Sequence, residues 1–429
     1  MIIKAAKRTE SVQEYYFSRK LKEIAAMNAE REVRGEEPVI NLGIGSPDGM
    51  PPTEAVDALC ESAREAGNHA YQSYVGLPQL RKAFADWYGR WYGVELDPAS
   101  QIQPLAGSKE AILLISLAFL DKGDKVLIPD PGYPTYSSAS RLVEAEILTY
   151  DLCESNGWWP DFEALEEMDL EGVKIMWTNY PNMPTGAPAS EELYAKLVDF
   201  GRRHGILICN DNPYSFILND RPISILAQPG VMECCLELNS LSKAHNMAGW
   251  RIGMVAADAE VIAQILKVKS QMDSGMFKPL QLAAVQALAR GPQWFRELND
   301  EYRRRRVLAG EIFDILGVTY DKSSSGMFLW GKVPMPDNSG DPRLREAQAP
   351  PSRGWHVTSI IQASEQEESV GQRLSDKILY EAGVFITPGF IFGKNGEDYV
   401  RISLCAKPQV LKRAADKIRS VILNEVKDL

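Results

Sequence analysis

Short apolar runs rich in β-branched residues alternate with stretches of helical periodicity through the middle of the chain. KVLIP at 125–129, VKIMWT at 173–178, ILIC at 206–209 and CCLEL at 234–238 carry little of the in–out alternation of a half-exposed strand. They read as strands buried on both faces. Residues 108–120 and 190–204 have the 3.6-residue spacing of helices. Strand–helix alternation of this kind predicts an α/β fold, with a mainly parallel sheet, right-handed crossovers and helices on both faces. Ligands of such sheets gather beyond the carboxyl ends of the strands. The residues just after each run are therefore the first place to look for chemistry.

A chain of 429 residues is too long for one ordinary core. The alternating pattern gives way after about residue 296, and 53–296 reads as a large domain. Residues 1–52 together with 297–429 read as a smaller α+β domain. It holds helical segments at 297–316, 371–382 and 407–426, and strand-like runs at 327–333, 384–387 and 399–404. Between them lies 334–369, rich in Pro, Ser, Gly and charge, which reads as a surface segment or a cover for a site.

The net charge of −11 argues against a phosphate-backbone partner, and the basic run at 303–306 reads as a solvated helix face. The four histidines are scattered, with no HxxxH or HExxH pair, and the six cysteines form no CxxC. No metal site is expected, and the thiols read as reduced. The first twenty residues lack the apolar stretch of a secretory signal. The longest apolar run, 111–120, is too short to span a bilayer. A cytoplasmic protein without membrane or nucleic-acid partners is the expectation.

Lys243 stands five residues beyond CCLEL, flanked by Ser240 and Ser242, and is followed by Gly249-Trp-Arg251-Ile-Gly253. A lysine held in a partly desolvated turn beside a cation becomes a nucleophilic amine. Arg251 offers a planar fork of donors suited to phosphate, and the two glycines allow close backbone approach. Asp211 ends the strand ILICND, where a carboxylate pairs with a cationic ring nitrogen or simply caps a turn. Gly107 and Ser108 open a helix, the geometry of a phosphate cradle and equally of any good N-cap. Arg401 lies within the apolar YVRISL, where burial demands an anionic partner. The glycines of Asn41-Leu-Gly43-Ile-Gly45 are followed by Pro47, Pro51 and Pro52, so no helix opens there and the dinucleotide fingerprint fails.

Taken in order, these segments resemble the class I/II, fold-type I aminotransferases that use pyridoxal phosphate, along nearly the whole chain. The resemblance implies that Lys243 forms a Schiff base with the cofactor, that Asp211 holds its ring nitrogen, and that Tyr214 and Asn182 bond its ring oxygen. It implies Tyr133 stacked on the ring. Gly107, Ser108, Lys109, Ser240, Ser242 and Arg251 would lie around the cofactor's phosphate end. Tyr71 would reach the phosphate of a neighbouring subunit, which implies a homodimer with shared sites. Arg401 would clamp the substrate α-carboxylate, with Gly45 and Asn182 beside it. Asn182 departs from the family's N-P-T-G turn, since Met183-Pro184 intervenes before Thr185-Gly186. Some aspartate-type members use a lysine at the position of Lys109 for a distal carboxylate.

The expected reaction is ping-pong transfer of an amino group from an L-amino acid, aspartate or another dicarboxylate, to a 2-oxo acid such as 2-oxoglutarate. A β-lyase of the carbon–sulfur type is the alternative on the same fold. A ligand-sensing regulator would need a DNA-binding module, and the 35 or so residues before PVINLG leave little room for one.

Overall fold

The computed structural model describes residues 3–334 and 368–427. Its contacts group the chain into two compact units. One comprises Met1–Gln13, Ser46–Met183 and Ala187–Asp300; the other comprises Glu14–Gly45, Pro184–Gly186 and Glu301–Leu429. Nearly all of the polar segment at 334–369 lies outside the described residues.

The first unit is built on a seven-stranded sheet: β1 (Ile102–Leu105), β2 (Lys125–Asp130), β3 (Glu146–Asp151), β4 (Val173–Thr178), β5 (Leu207–Asp211), β6 (Cys235–Ser240) and β7 (Gly253–Ala257). Their spatial order is β1-β7-β6-β5-β4-β2-β3. The ladders β6–β5, β5–β4, β4–β2 and β2–β3 are parallel, whereas β7 runs antiparallel to both β6 and β1. Alternate strand residues feed two cores. Leu127, Met176, Ile208, Cys235 and Met254 face one, while Val126, Ile128, Ile175, Trp177, Cys209, Leu236 and Val255 face the other. Both faces are dry, which is why these strands are apolar without alternation. Helix Ser108–Phe119 buries Ala111, Ile112, Leu114 and Ile115 in the second core. Helix Glu191–His204 buries Leu193, Tyr194, Leu197 and Val198 in the first. Its ends are set by Ser190, whose hydroxyl accepts from the Leu193 amide, and by Gly205 in the left-handed region.

The second unit holds a four-stranded antiparallel sheet in the order Thr387–Pro388, Tyr399–Ser403, Phe328–Lys332, Thr319–Tyr320. A short parallel pair joins Ile40–Asn41 to Val384–Phe385. Helices Tyr16–Val33, Val370–Lys377 and Pro408–Lys427 belong to this unit. The basic run differs from its reading as a solvated face. Arg303 and Arg304 are exposed, but Arg305 is buried, donating to the Glu301 carboxylate at 2.8 Å and the Leu404 carbonyl at 3.2 Å. Among the described residues, no helix is long and apolar enough to cross a membrane.

Candidate active site

The parallel strands end together, and the sequence puts polar residues just where they end. Asp211 is the last residue of β5 and Ser240 the last of β6. Because β7 runs the other way, its first residue, Gly253, lies beside both Ser240 and Leu105. One reversed strand thus carries Arg251 to the carboxyl ends of β1 and β6. A Cβ on Gly253 would stand 2.7 Å from the Asn239 carbonyl oxygen and 2.8 Å from the Ser108 amide nitrogen. The glycine is what lets the Lys243 turn and the Gly107-Ser108 turn close on each other.

Lys243 sits half-buried in the single helical turn Leu241–Ala244. Ser240 caps that turn, its hydroxyl accepting from the Ser242 amide at 3.1 Å and donating to the Ser242 hydroxyl at 2.8 Å. The Trp294 indole donates to the Ala244 carbonyl at 2.8 Å and ties down the far end. Arg251 is exposed and adopts a left-handed backbone, φ 57°. That conformation costs a non-glycine residue on the order of 1–3 kcal/mol and tends to persist where function needs it. Its guanidinium donates to the carbonyls of Ala248 and Ala106, at 2.9 and 3.2 Å. Gly107, at φ 86°, leaves the space this guanidinium occupies, for a Cβ there would overlap it. Ser108 and Lys109 form the first helical turn, Ser108 half-buried and Lys109 exposed.

Asp211 is the electrostatic centre of the cluster. Burial pushes its carboxyl up to about 7, against the Tyr136 and Ser108 hydroxyls and the Lys243 ammonium, which pull it down. Its Oδ2 accepts from the Tyr136 hydroxyl at 3.1 Å, while Oδ1 is buried with no hydrogen-bond partner among the described residues. The Ser108 hydroxyl lies close enough to lower the carboxyl but makes no hydrogen bond to Oδ1 in this geometry, so that buried oxygen has room for a further N–H donor. The ring of Tyr136 stacks on Trp177 at 4.9 Å and meets Tyr133 edge-on at 5.6 Å. Tyr214, three residues past Asp211, is half-buried and lies within electrostatic range of Tyr136. Asn182 is buried and donates to the Asn179 carbonyl at 3.1 Å, and Asn179 in turn donates to the Asp211 carbonyl. Tyr71 is 90% exposed.

In the second unit, Arg401 is buried in strand Tyr399–Ser403. Its guanidinium lies 3.9 Å from the centre of the Phe328 ring and 4.7 Å from that of Phe392, and it donates to the Gly43 carbonyl at 2.8 Å. Gly45 packs against the same Phe328 ring, which leaves no room for a Cβ. Two residues singled out separately in the sequence thus share one aromatic neighbour.

The profile of the family described as Aminotransferase class I and II matches residues 37–418. The chain belongs to that family. It is a pyridoxal-phosphate-dependent aminotransferase. Curated relatives include the LL-diaminopimelate aminotransferase of Dehalococcoides mccartyi, 35% identical over 97% of this chain and 98% of that protein. That of Aquifex aeolicus is 37% identical over 90% of this chain and 92% of its own length. Among solved structures, substrate-bound BacF from Bacillus subtilis is similar with a TM-score of 0.84, at 30% identity over 97% of this chain and 98% of that one. A probable N-succinyldiaminopimelate aminotransferase from Thermus thermophilus is similar at TM-score 0.77 and 29% identity, over 94% and 99%.

The aminotransferase cofactor fits the residues present. It offers a cationic ring N–H for the open Asp211 oxygen and a phosphate for the Gly107-Ser108 helix start and the Arg251 fork. Sequence reading missed Tyr136 and Asn179, which hold Asp211 in place. Tyr136 was within reach, since its spacing of three from Tyr133 across a helix start puts both rings on one side. Asn179 carried no such signal, for a buried asparagine in a loop is indistinguishable by composition from an exposed one.

Proposed function

We propose that this aminotransferase takes the amino group of an L-amino acid with a second, distal carboxylate, LL-diaminopimelate foremost, and passes it to a 2-oxo acid such as 2-oxoglutarate. The observation that carries the chemistry is the buried, open oxygen of Asp211 in the electrostatic reach of Lys243. Support for the donor comes from full-length relatives named for LL-diaminopimelate. The exposed Lys109 at the helix start is a candidate for its distal carboxylate. Aspartate carries the same second carboxylate and is the donor to set against it. The relatives named above are aminotransferases, which disfavours a carbon–sulfur lyase.

In this reading, pyridoxal phosphate, when bound, supplies an aldehyde for the amine and a cationic ring that withdraws electrons from the substrate's α-carbon. Lys243 would hold the cofactor, and its amine, when free and neutral, would take the proton from Cα as general base. Asp211 accepts the ring N–H and keeps the ring protonated. Tyr214 and Asn182 would donate to its ring oxygen, and Tyr133 would stack on the ring. Ser108, Ser240, Ser242, Arg251 and the Gly107 backbone bind phosphate, joined by Tyr71 of a second copy in a homodimer. Arg401 grips the α-carboxylate through its two-pronged fork, with Gly45 alongside, and so aims the Cα–H bond.

Mixing the holoenzyme with one donor and no acceptor tests the reading. LL-diaminopimelate is expected to bleach the visible band of the lysine-bound cofactor and release one equivalent of 2-oxo acid, with aspartate slower. The Lys109→Ala variant is expected to lose about tenfold, near 1.4 kcal/mol, on dicarboxylates and little on alanine. A faster reaction with aspartate than with LL-diaminopimelate would overturn the donor, and release of ammonia and pyruvate would overturn transfer itself.

A further inference from the structure

Six residues before the last of β6 the chain carries two adjacent cysteines, Cys234 and Cys235. Consecutive residues of an extended strand point to opposite faces, which keeps adjacent thiols apart. Here Cys235 opens β6, but Cys234 has ψ 9°, well away from the extended region. That turn of the backbone swings both side chains to one side, and the two sulfurs lie 3.7 Å apart. Cys234 Sγ also lies 3.6 Å from the Val198 carbonyl oxygen, to which its S–H donates while it accepts from Cys235. The hydrogen bond from Cys235, aided by the nearby Arg202 guanidinium, lowers the Cys234 thiol below its ordinary value.

Cys234 lines an open groove of about 760 Å³ at the amino ends of β5 and β6. Phe119 and Ile206 give it apolar walls, and Lys174, Arg202 and Arg203 rim it. Arg202 is paired with Glu233 at 3.0 Å and Lys174 with Asp124 at 2.7 Å, so the rim is electrically satisfied and does not call for an anion. A neutral ligand with a soft electrophilic centre and an apolar body suits the walls and the Cys234 sulfur, and the buried Cys235 sulfur lies 3.7 Å from that one.

We propose that Cys234 and Cys235 form a vicinal dithiol site that chelates a trivalent organoarsenical entering through this groove. Two S–As bonds form, the two thiol protons leave with the arsenic-bound oxygen as one water, and arsenic stays trivalent, so no oxidant is needed. The chelate closes a ring through two adjacent residues already turned toward each other, and the aryl group lies along Phe119 and Ile206. At about 3.3 Å per residue, Cys235 is roughly 17 Å along β6 from Ser240, so the ligand does not touch the Lys243 turn.

The test treats native holoenzyme with phenylarsine oxide, washes with excess monothiol and counts arsenic per chain. One arsenic per chain is expected to survive the wash, to leave with 2,3-dimercaptopropanol, and to map to the peptide carrying residues 234–235. Cys234→Ser and Cys235→Ser are each expected to lose it. Cys60→Ser and Cys153→Ser, which remove exposed thiols elsewhere, are expected to keep it. Peptide mapping on the wild-type chain decides the matter even if a serine variant fails to fold. No arsenic surviving the wash, or arsenic mapped to another peptide, would overturn the proposal.

Discussion

Asp211 shows how much one carboxyl depends on what lies against it. Its ordinary value near 3.8 rises to about 7 because burial disfavours the charged form more than two hydroxyls and one ammonium favour it. Without cofactor, then, the native protein binds this proton more tightly than the unfolded chain does. The stability the protonated carboxyl contributes is complete below about pH 4 and is lost as the pH rises to about 7. A shift of some three pH units corresponds to about 4 kcal/mol. Urea unfolding of cofactor-free protein at pH 4 and pH 7.5 measures it. Wild type is expected to lose several kcal/mol more than Asp211→Asn over that interval, and equal losses would contradict the shift. With a cationic ring opposite Oδ1 the balance reverses. An opposite charge at about 4 Å is worth roughly 4 kcal/mol at an effective dielectric near 20. Asp211→Asn is therefore expected to lower kcat by about a thousandfold while the cofactor still binds. Steady-state rates with a single donor and acceptor check it, and a loss under tenfold would remove Asp211 from the chemistry.

At the scale of elements, the reversed strand β7 decides whether the pieces meet. Gly253 is the tight point, and Gly249, four residues earlier in the same motif, has open space where a Cβ would go. The two glycines look alike in the sequence and are expected to behave differently. Gly253→Ala forces the Asn239 carbonyl or the Ser108 amide to move. It should cost about 1–3 kcal/mol of stability and weaken cofactor binding at the phosphate end. Gly249→Ala should stay within about 0.5 kcal/mol. Melting temperatures and cofactor titrations of the two variants compare them directly. This contrast marks the reach of the sequence reading. Strands β2, β4, β5 and β6 were legible because both faces are dry and the runs are continuously apolar. Strand β3 was not, for it is the sheet's edge and its Glu146, Thr149 and Asp151 are exposed. Strand β1 hides a buried Gln103 and Pro104 in QIQPL, and three of the five residues of β7, GMVAA, are Gly or Ala with weak strand preference. The candidate site residues were singled out by charge, glycine and position after strands. Their supports did not, since Glu237 reads in CCLEL as a chance polar residue. It is fully buried and accepts from Tyr88, Ser224 and Asn210, at 2.8, 2.8 and 3.1 Å.

At the scale of the whole molecule, Tyr71 poses the question of how many chains make a site. Its side chain is 90% exposed, a large aromatic surface left in water, and Met50, Tyr74 and Phe277 are exposed as well. Under the proposed function this tyrosine serves the phosphate of a second copy, and a hybrid experiment separates that arrangement from one in which it serves its own chain. Lys243→Ala destroys the site it belongs to but leaves Tyr71 intact. Tyr71→Ala spoils whichever site the tyrosine serves. Suppose the two variants are mixed, dissociated and reassociated, and that Tyr71 acts across the interface of a twofold dimer. Each mixed dimer then holds one site with both lesions and one with neither. Random pairing makes half of the dimers mixed, so the mixture should recover about one quarter of wild-type activity, well above either variant alone. If Tyr71 serves its own chain, every site in every dimer keeps a lesion, and mixing restores nothing. Activity of the mixture against the sum of its parts therefore reads out directly whether the site is completed by a second copy of the chain.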